Sequence, residues 1–340
     1  MKHRLIDCLV LIFLLVGCKK NEDQWKKDLE KIDTEFTLHN EYDYLDVRRY
    51  GLFPGKPIGG HPKNGKNVVE ALLDLAELGV PIRFPEGFYK TALKIQGRKN
   101  IKLYFNNTIF AGLVEVRNSN DIHLMGSLST LEQFYTRDSE NIQADIVFVK
   151  KDSILSINNR RPYGCSIHSG TKNLTIKKLV VEDVGSGTFD YKFVKGGLII
   201  HGHNNEPEEI NIDSVIIKSS DRHGAYISGE NIEIDFLSIE KFGVGSGLEM
   251  APMEGGILGD QLAFSGLWIK NCFNSSIKRT EIKLMESGGV HSLNMDYGET
   301  FRPVVLDTVL LIGKGKGSPL NEKYSPRTGV KINFLKHLNE

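Results

Sequence analysis

The hydrophobic and polar positions of this chain follow a short phrase that recurs between residues 99 and 240. In each copy, a polar residue is followed by an apolar residue, a variable residue and a second apolar residue. The clear copies begin at Asn100, Asp121, Asn173, Glu209 and Asn231. Successive copies start 21, 52, 36 and 22 residues apart, and a weaker copy at Asn141 divides the interval of 52 into 20 and 32.

This spacing predicts the class of fold. A period near 21 residues with occasional insertions is typical of a solenoid in which each repeat forms one coil. Strand residues alternate between the two faces of a sheet, so each coil buries every second residue and hydrogen-bonds its backbone to the neighbouring coils. We therefore expect an all-β parallel solenoid, and we expect the insertions to form loops that leave the stack.

Length, composition and charge agree with one large, elongated domain. The chain has 340 residues, of which 40% are hydrophobic, and this is enough to bury a substantial core. Its 34 glycines suit the many tight turns that join short strands. The 43 basic and 43 acidic residues cancel, so no overall positive field would attract nucleic acid. An anionic ligand would need a local basic patch.

The first residues have the pattern of an export signal. Residues 2–4 are basic, residues 5–16 are mostly apolar, and Leu15-Val16-Gly17-Cys18 resembles a bacterial lipobox. The resemblance implies a signal peptide over residues 1–17 and lipid attachment to the Cys18 thiol. A plain secretory peptide or a short anchor is the alternative, although about a dozen apolar residues are too few to span a bilayer. We expect an exported lipoprotein of the outer membrane or cell surface, with a periplasmic orientation also open.

The rest of the chain divides into a charged tether over residues 18–43 and a single β-helix domain over residues 44–340. Cys165 and Cys272 lie 107 residues apart, which means several coils apart in a solenoid. Buried thiols are therefore favoured over a disulfide. No cysteine and histidine spacing of a metal site is present.

Residues 46–91 resemble the opening of a known family. Asp46-Val47-Arg48-Arg49-Tyr50-Gly51 precedes a predicted amphipathic helix over residues 67–78, and Phe84-Pro85-Glu86-Gly87-Phe88-Tyr89 follows it. This order resembles the start of right-handed parallel β-helix proteins of the pectate-lyase and polygalacturonase superfamily. The resemblance implies a right-handed coil whose N-terminal end is covered by the helix, because an open end would expose an apolar cross-section and a pairing edge.

The resemblance implies action on a polysaccharide but does not fix the reaction, because lyases, hydrolases, epimerases and adhesins share this fold. The N-T-D-G signature of polygalacturonases is matched only at Asp221 and Gly224, and no paired aspartates are present. The W-x-D-H and R-x-P-x-x-R blocks of pectate lyases are absent. The site must therefore be inferred from its residues.

Three predicted strands, within residues 164–169, 197–202 and 224–229, place polar side chains on one outer face. If their apolar residues point inward, the alternating residues point outward. The outward set comprises Ser166, His168, His201, Tyr226 and Ser228, with His203 one step further along. Because adjacent coils lie about 4.8 Å apart, residues distant in sequence are expected to be neighbours here.

The insertions beside these strands carry charged residues. Residues 185–196 include Asp190, Lys192 and Lys195, and residues 219–223 end in Asp221-Arg222-His223. A neutral chain that concentrates Lys, Arg and His in this way favours an anionic sugar as ligand. Each residue also has an ordinary interpretation, as a solvated strand or loop charge or as a turn residue. The same applies to Glu249, which lies in a Gly-rich loop and could line the rim of the cleft.

Two reactions fit such a cluster. Hydrolysis of a glycosidic bond needs two carboxylates, for which Asp190 and Asp221 are candidates. β-Elimination at a uronate needs a base, here Lys or His, and a cation such as Arg222 or Ca²⁺ to neutralise the sugar carboxylate. The excess of basic groups favours a polysaccharide lyase over a polygalacturonase-like hydrolase. A lipoprotein that binds glycan without cleaving it is the third hypothesis.

The predicted residues fall into two sets, with no metal ligands assigned, no cofactor identified and Ca²⁺ left open. The predicted catalytic residues are Asp190, Lys192, His201, Asp221, Arg222 and His223. The predicted substrate-binding residues are His168, Lys195, His203, Tyr226 and Glu249.

Overall fold

The computed structural model describes residues 36–58, 67–151, 163–184, 196–202, 205–244, 264–288, 291–296, 298–314 and 329–338. These ranges are mostly strand, and twelve parallel strands coil through 306° about a common axis. The predicted all-β parallel β-helix is confirmed. The predicted signal peptide, Cys18 and residues 18–35 of the predicted tether lie outside the described ranges.

The described ranges contain a short 3-10 helix, Val47–Tyr50, and one α-helix, α1, Val68–Glu77. The strands are β1 Ile82–Phe84, β2 Gly87–Tyr89, β3 Leu93–Gln96, β4 Lys99–Phe110, β5 Val114–Arg117, β6 Asn120–Thr130, β7 Gln133–Arg137, β8 Glu140–Val149, β9 Gly164–His168, β10 Lys172–Val181, β11 Gly196–His201, β12 Glu208–Ile217, β13 His223–Ile239, β14 Ser265–Phe273, β15 Ser275–Lys283, β16 His291–Asp296, β17 Val304–Ile312 and β18 Val330–Leu338.

Every pairing between these strands is parallel, and the pairings follow two main successions. One succession runs through the shorter strands β3, β5, β7, β9, β11, β13, β14 and β16, and we call it the site face. The other runs through β4, β6, β8, β10, β12, β13, β15, β17 and β18, and we call it the long face. Strand β13 contributes to both because it turns a corner of the coil.

The helix α1 covers the N-terminal end of the stack. It begins at the predicted cap, where the Asn67 side chain accepts a hydrogen bond from Val69 N at 2.8 Å. Its apolar face is buried, with Leu72 and Leu75 no more than 1% exposed. The helix packs against β1 and β4. The capping helix expected from the sequence is therefore present, and its described bounds differ from residues 67–78 by one residue at each end.

The polar residue that opens each copy of the sequence phrase is a corner of the coil. All six of these residues have left-handed backbone conformations, with φ between 47° and 57°. Parallel register stacks them, so that Asn173, for example, lies opposite Asn141 and donates to its Oδ1 at 2.7 Å. Asn and Asp tolerate this conformation better than other side chains. The corner therefore explains the polar residue, and Glu209 is the exception to the Asn and Asp pattern.

The apolar residues of the site-face strands fill the core as predicted. Cys165, Leu198 and Ala225 are fully buried in neighbouring coils, and Ile167 and Ile200 are equally buried two residues further on. Cys165 and Cys272 are both buried free thiols, and burial raises the pKa of the Cys272 thiol to about 12. No helix within the described residues is long and apolar enough to cross a membrane.

Candidate functional site

Parallel register aligns outward side chains across five coils of the site face. Tyr135 pairs with Ser166, and Ser166 pairs with Ile199. Ile199 pairs in turn with Tyr226, and Tyr226 with Trp268. Two residues beyond Ser166 and Ile199, His168 pairs with His201. The site face therefore carries two adjacent rows of outward residues, which are rich in rings.

Five of these rings, drawn from both rows, form one continuous series that we call the ring row. Its members are Tyr135, His168, His201, Tyr226 and Trp268. Their successive ring centroids are 5.8, 6.0, 5.3 and 4.9 Å apart, which is the range of favourable aromatic contacts. The ring row thus brings together three of the residues selected from sequence, namely His168, His201 and Tyr226.

Glycines at matching positions in successive coils allow the strands that carry the ring row to pack closely against adjoining strands. Cβ atoms built on Gly197, Gly224 and Gly266 would lie within 2.5 to 2.9 Å of side-chain or backbone atoms in adjoining strands. Each of these glycines begins a Gly-apolar-x-Ile phrase, which also occurs at Gly164. The phrase therefore marks strands whose third residue points outward from the site face.

A buried hydroxyl and a carboxylate lie on the Nδ1 side of the His201 ring. The Ser228 Oγ lies 3.2 Å from His201 Nδ1 and donates a hydrogen bond to Glu206 Oε2 at 2.8 Å. The same carboxylate oxygen accepts from Gly202 N at 2.7 Å. Glu206 Oε2 lies 4.0 Å from His201 Nδ1, and the His201 side chain remains 30% exposed. His201 is thus an outward imidazole that is connected to a carboxylate through one hydroxyl.

His168 is a partly buried imidazole in the adjacent coil. Burial lowers its pKa, and the neighbouring His201 and Arg137 lower it further because positive charge repels the protonated ring. Glu206 and Asp138 act in the opposite direction but do not reverse the shift. The buried His168 Nδ1 has no hydrogen-bond partner among the described residues. The lowered pKa favours the neutral form of the His168 ring at pH 7.

Tyr226 lies deeper than the two histidines. It is 5% exposed, and burial raises the pKa of its phenol to about 12, so the hydroxyl stays protonated at neutral pH. Its predicted role was substrate binding. The structure places its ring between His201 and Trp268, where it supports both neighbouring rings from within the ring row.

The consecutive residues Asp221, Arg222 and His223, predicted to be catalytic, are covered. Their exposed fractions are 9%, 6% and 5%. The His223 Nδ1 accepts a hydrogen bond from Ser265 N at 3.1 Å, and its ring contacts Trp268 with centroids 5.0 Å apart. Burial and the neighbouring Arg222 lower the pKa of His223 to about 3. Its contact with Trp268 favours a supporting role for His223, whereas the catalytic roles assigned to Asp221 and Arg222 stay predictions.

Several predicted residues lie outside the described ranges. They are Asp190, Lys192, Lys195, His203 and Glu249. Their assigned roles stay predictions.

Four residues of the site were not selected from the sequence. Tyr135 and Trp268 extend the ring row in both directions, Arg137 lies near His168 in the preceding coil, and Glu206 accepts a hydrogen bond from Ser228. A signal for Trp268 was present, since it is the third residue of a Gly-apolar-x-Ile phrase. Glu206 gave no such signal, because its contact with Ser228 depends on the path of a turn.

Charges lie at both ends of the ring row. At one end, the Arg137 side chain is 42% exposed and its Nε donates to Asp138 Oδ2 at 3.1 Å. At the other end, Trp268 Nε1 donates to Asp296 Oδ2 at 3.1 Å, and the Lys270 Nζ lies 5.6 Å from the Trp268 ring centroid. Each end of the ring row therefore carries one cation and one carboxylate.

The described residues contain no group of three or more His, Cys, Asp or Glu side chains that could hold a metal ion. Three carboxylates lie beside the ring row, and each accepts from protein donors: Asp138 from Arg137, Glu206 from Gly202 and Ser228, and Asp296 from Trp268.

In comparisons with known proteins, no family model, no curated protein and no solved structure matches this chain. The parallel β-helix is thus shown by the structure itself, and the site is described from its own residues.

Proposed function

We propose that this protein is a polysaccharide lyase that cleaves an acidic polysaccharide by β-elimination at a uronate, with the ring row as its active site. One observation carries the proposal. The site face aligns two outward imidazoles, His168 and His201, beside the exposed guanidinium of Arg137 and between the rings of Tyr135 and Trp268. A neutral imidazole and a cation are the groups that elimination at a uronate requires.

In the proposed reaction, His201 is the general base. Its imidazole takes the proton from C5 of the uronate, and the electron pair of that C–H bond forms the C4–C5 double bond. The C4–O bond breaks, and the leaving oxygen takes a proton from solvent. His201 then returns its proton to solvent, so protons and electrons balance over one turnover.

The other outward groups bind and orient the polymer. Arg137 pairs with the uronate carboxylate. The positive charge of the guanidinium offsets the negative charge of that carboxylate and so makes the C5 proton more acidic. Tyr135 and Trp268 offer ring faces against which sugar rings pack. His168 accepts a hydrogen bond from a sugar hydroxyl, in accordance with its neutral form.

Hydrolysis is less well supported by the same face. It requires two carboxylates, one of them protonated, on either side of the scissile bond. Glu206 accepts from Gly202 N and Ser228 Oγ, and Asp296 accepts from Trp268 Nε1. Asp138 is paired with Arg137, so each carboxylate beside the ring row already has a protein partner. Glycan binding without cleavage is the second candidate, and the continuous series of rings favours it.

The proposal includes membership of the pectate-lyase and polygalacturonase superfamily and an outer-membrane or cell-surface location through a lipid at Cys18. The motifs of residues 46–91 support the first, and the lipobox-like Leu15-Val16-Gly17-Cys18 supports the second. Labelling cells with radioactive palmitate tests the lipid. Replacement of Cys18 by Ala should abolish both the label and recovery of the protein in the membrane fraction.

The reaction is tested by incubating the purified protein with a panel of acidic polysaccharides. Ultraviolet absorbance of unsaturated uronate and the appearance of reducing ends are followed together. The proposal predicts both signals with at least one polymer. Reducing ends without unsaturated product would replace the lyase with a hydrolase, and retention on the polymer without either signal would leave glycan binding alone.

A further inference from the structure

We infer that Glu206, acting through Ser228, fixes His201 as the tautomer that carries its proton on Nδ1 and therefore its lone pair on Nε2. Glu206 and Ser228 would then be positioning residues. Their role in catalysis rests on the proposed function, in which His201 is the general base, whereas the tautomer itself can be tested without any substrate.

The direction of the hydrogen bonds follows from counting protons. Glu206 Oε2 accepts from Gly202 N at 2.7 Å, so this oxygen faces its donors as an acceptor. Ser228 Oγ lies 2.8 Å from the same oxygen, and it has only one proton to donate. That proton must lie between Ser228 and Glu206, because two oxygens at this distance without a proton between them would repel each other.

The tautomer of His201 follows from that assignment. With its proton given to Glu206, Ser228 Oγ can act only as an acceptor toward His201 Nδ1, 3.2 Å away. Neutral His201 therefore carries its proton on Nδ1 and its lone pair on Nε2. The reverse tautomer would direct two acceptors at each other and would leave a proton on the nitrogen that must receive one.

The burial of Ser228 gives this contact its strength. Ser228 is 1% exposed, so water cannot readily replace either of its hydrogen bonds. The Tyr226 hydroxyl also interacts with Ser228, which has lone pairs for two donors. When His201 takes up a proton, the new positive charge lies 4.0 Å from Glu206 Oε2, and the carboxylate stabilises it.

The described groups around His201 come from the coils on either side of it. His168 lies in the coil before it, with Arg137 and Asp138 beyond, and Tyr226 lies in the coil after it. Glu206 is the carboxylate connected to Nδ1 through a single hydroxyl. It is therefore a group that can select between the two neutral forms of the ring.

Long-range proton–nitrogen NMR on the full-length protein, labelled with ¹⁵N-histidine, tests the inference directly. The His201 signal is assigned by its loss in His201→Gln. At a pH where His201 is neutral, we expect the Nδ1–H pattern in the native protein and in Ser228→Thr. We expect Ser228→Ala and Glu206→Gln to shift the signal toward Nε2–H. His123, an outward histidine of the long face, serves as the reference that should stay unchanged.

An Nε2–H pattern in the native protein would overturn the inference, and so would an Nδ1–H pattern that persists in both Ser228→Ala and Glu206→Gln. On an acidic polysaccharide, Ser228→Ala should lower kcat by about a hundredfold with little change in KM, and Ser228→Thr should restore most of it. A native Nδ1–H signal without unsaturated product would reject the lyase proposal and leave the tautomer intact. Unsaturated product with an unaltered tautomer in both variants would reject the positioning role alone.

Discussion

Replacement of Glu209 by Asn should stabilise the protein. Glu209 is the corner residue of its coil, with φ at 57°, and it lies opposite Asn173 in the coil before and Asn231 in the coil after. A left-handed conformation costs an ordinary L-residue about 1–2 kcal/mol, and Asn avoids part of this because its short amide bonds locally. Glu209 is also exposed, so the substitution removes little packing.

The expected gain is about 0.5–1 kcal/mol in the free energy of unfolding. An Asn at this corner could also extend the amide contact that joins Asn141 and Asn173 at 2.7 Å. Urea unfolding followed by circular dichroism measures the effect as a higher midpoint with an unchanged slope. Asn231→Glu, the reciprocal change, should lower stability by a similar amount.

The matched control is Glu233→Asn. Glu233 is an exposed glutamate on the same succession of strands, but it is not among the residues with positive φ. Its replacement should change stability by less than about 0.5 kcal/mol, because the backbone at this position is not in the left-handed conformation. If Glu209→Asn were neutral or destabilising while Asn231→Glu cost nothing, the explanation of the repeated polar residue would be wrong.

Three further predictions concern the site face. Gly224→Ala should destabilise the protein by about 1–3 kcal/mol in the same urea assay, because its Cβ would lie 2.5 Å from Gly266 O. Below about pH 6.5 the unfolded chain protonates His223, whereas the folded protein keeps it neutral down to about pH 3. The free energy of unfolding should therefore fall with decreasing pH across this window, by at most about 1.4 kcal/mol per pH unit from this residue. The urea midpoints of His223→Asn should show a shallower pH dependence than those of the native protein. Trp268→Ala should weaken retention on an acidic polysaccharide about fivefold in affinity electrophoresis, since a ring contact contributes on the order of 1 kcal/mol, and unchanged retention would remove Trp268 from the binding surface.

The fold could be predicted because its physical requirements repeat along the chain. Every coil needs apolar inward residues, and corners with left-handed backbone favour Asn or Asp, so both requirements leave a periodic record in the sequence. The capping helix was also predictable, because an amphipathic pattern and an Asn67 cap are local features. The outward alternation of His168 and His201 followed from the same strand period.

The exposure of the candidate residues was harder to predict. Asp221, Arg222 and His223 have the polarity of a surface turn, yet the structure covers all three. Sequence periodicity predicts whether a strand residue points inward or outward. It does not predict whether other segments cover an outward residue near a corner of the coil. Glu206 was missed for a related reason, because a turn folds it back toward Ser228 and no sequence period records that contact.

The measurement that tests the account most directly is the rate of unsaturated uronate formation by His201→Ala beside His123→Ala. Both histidines are outward strand residues of intermediate exposure, but His201 belongs to the ring row and His123 to the long face. We expect His201→Ala to lose about a hundredfold or more in rate and His123→Ala to retain the native rate. Equal activity in the two variants, or an absence of unsaturated product from the native protein on every acidic polysaccharide, would contradict the assignment of the ring row as a lyase site.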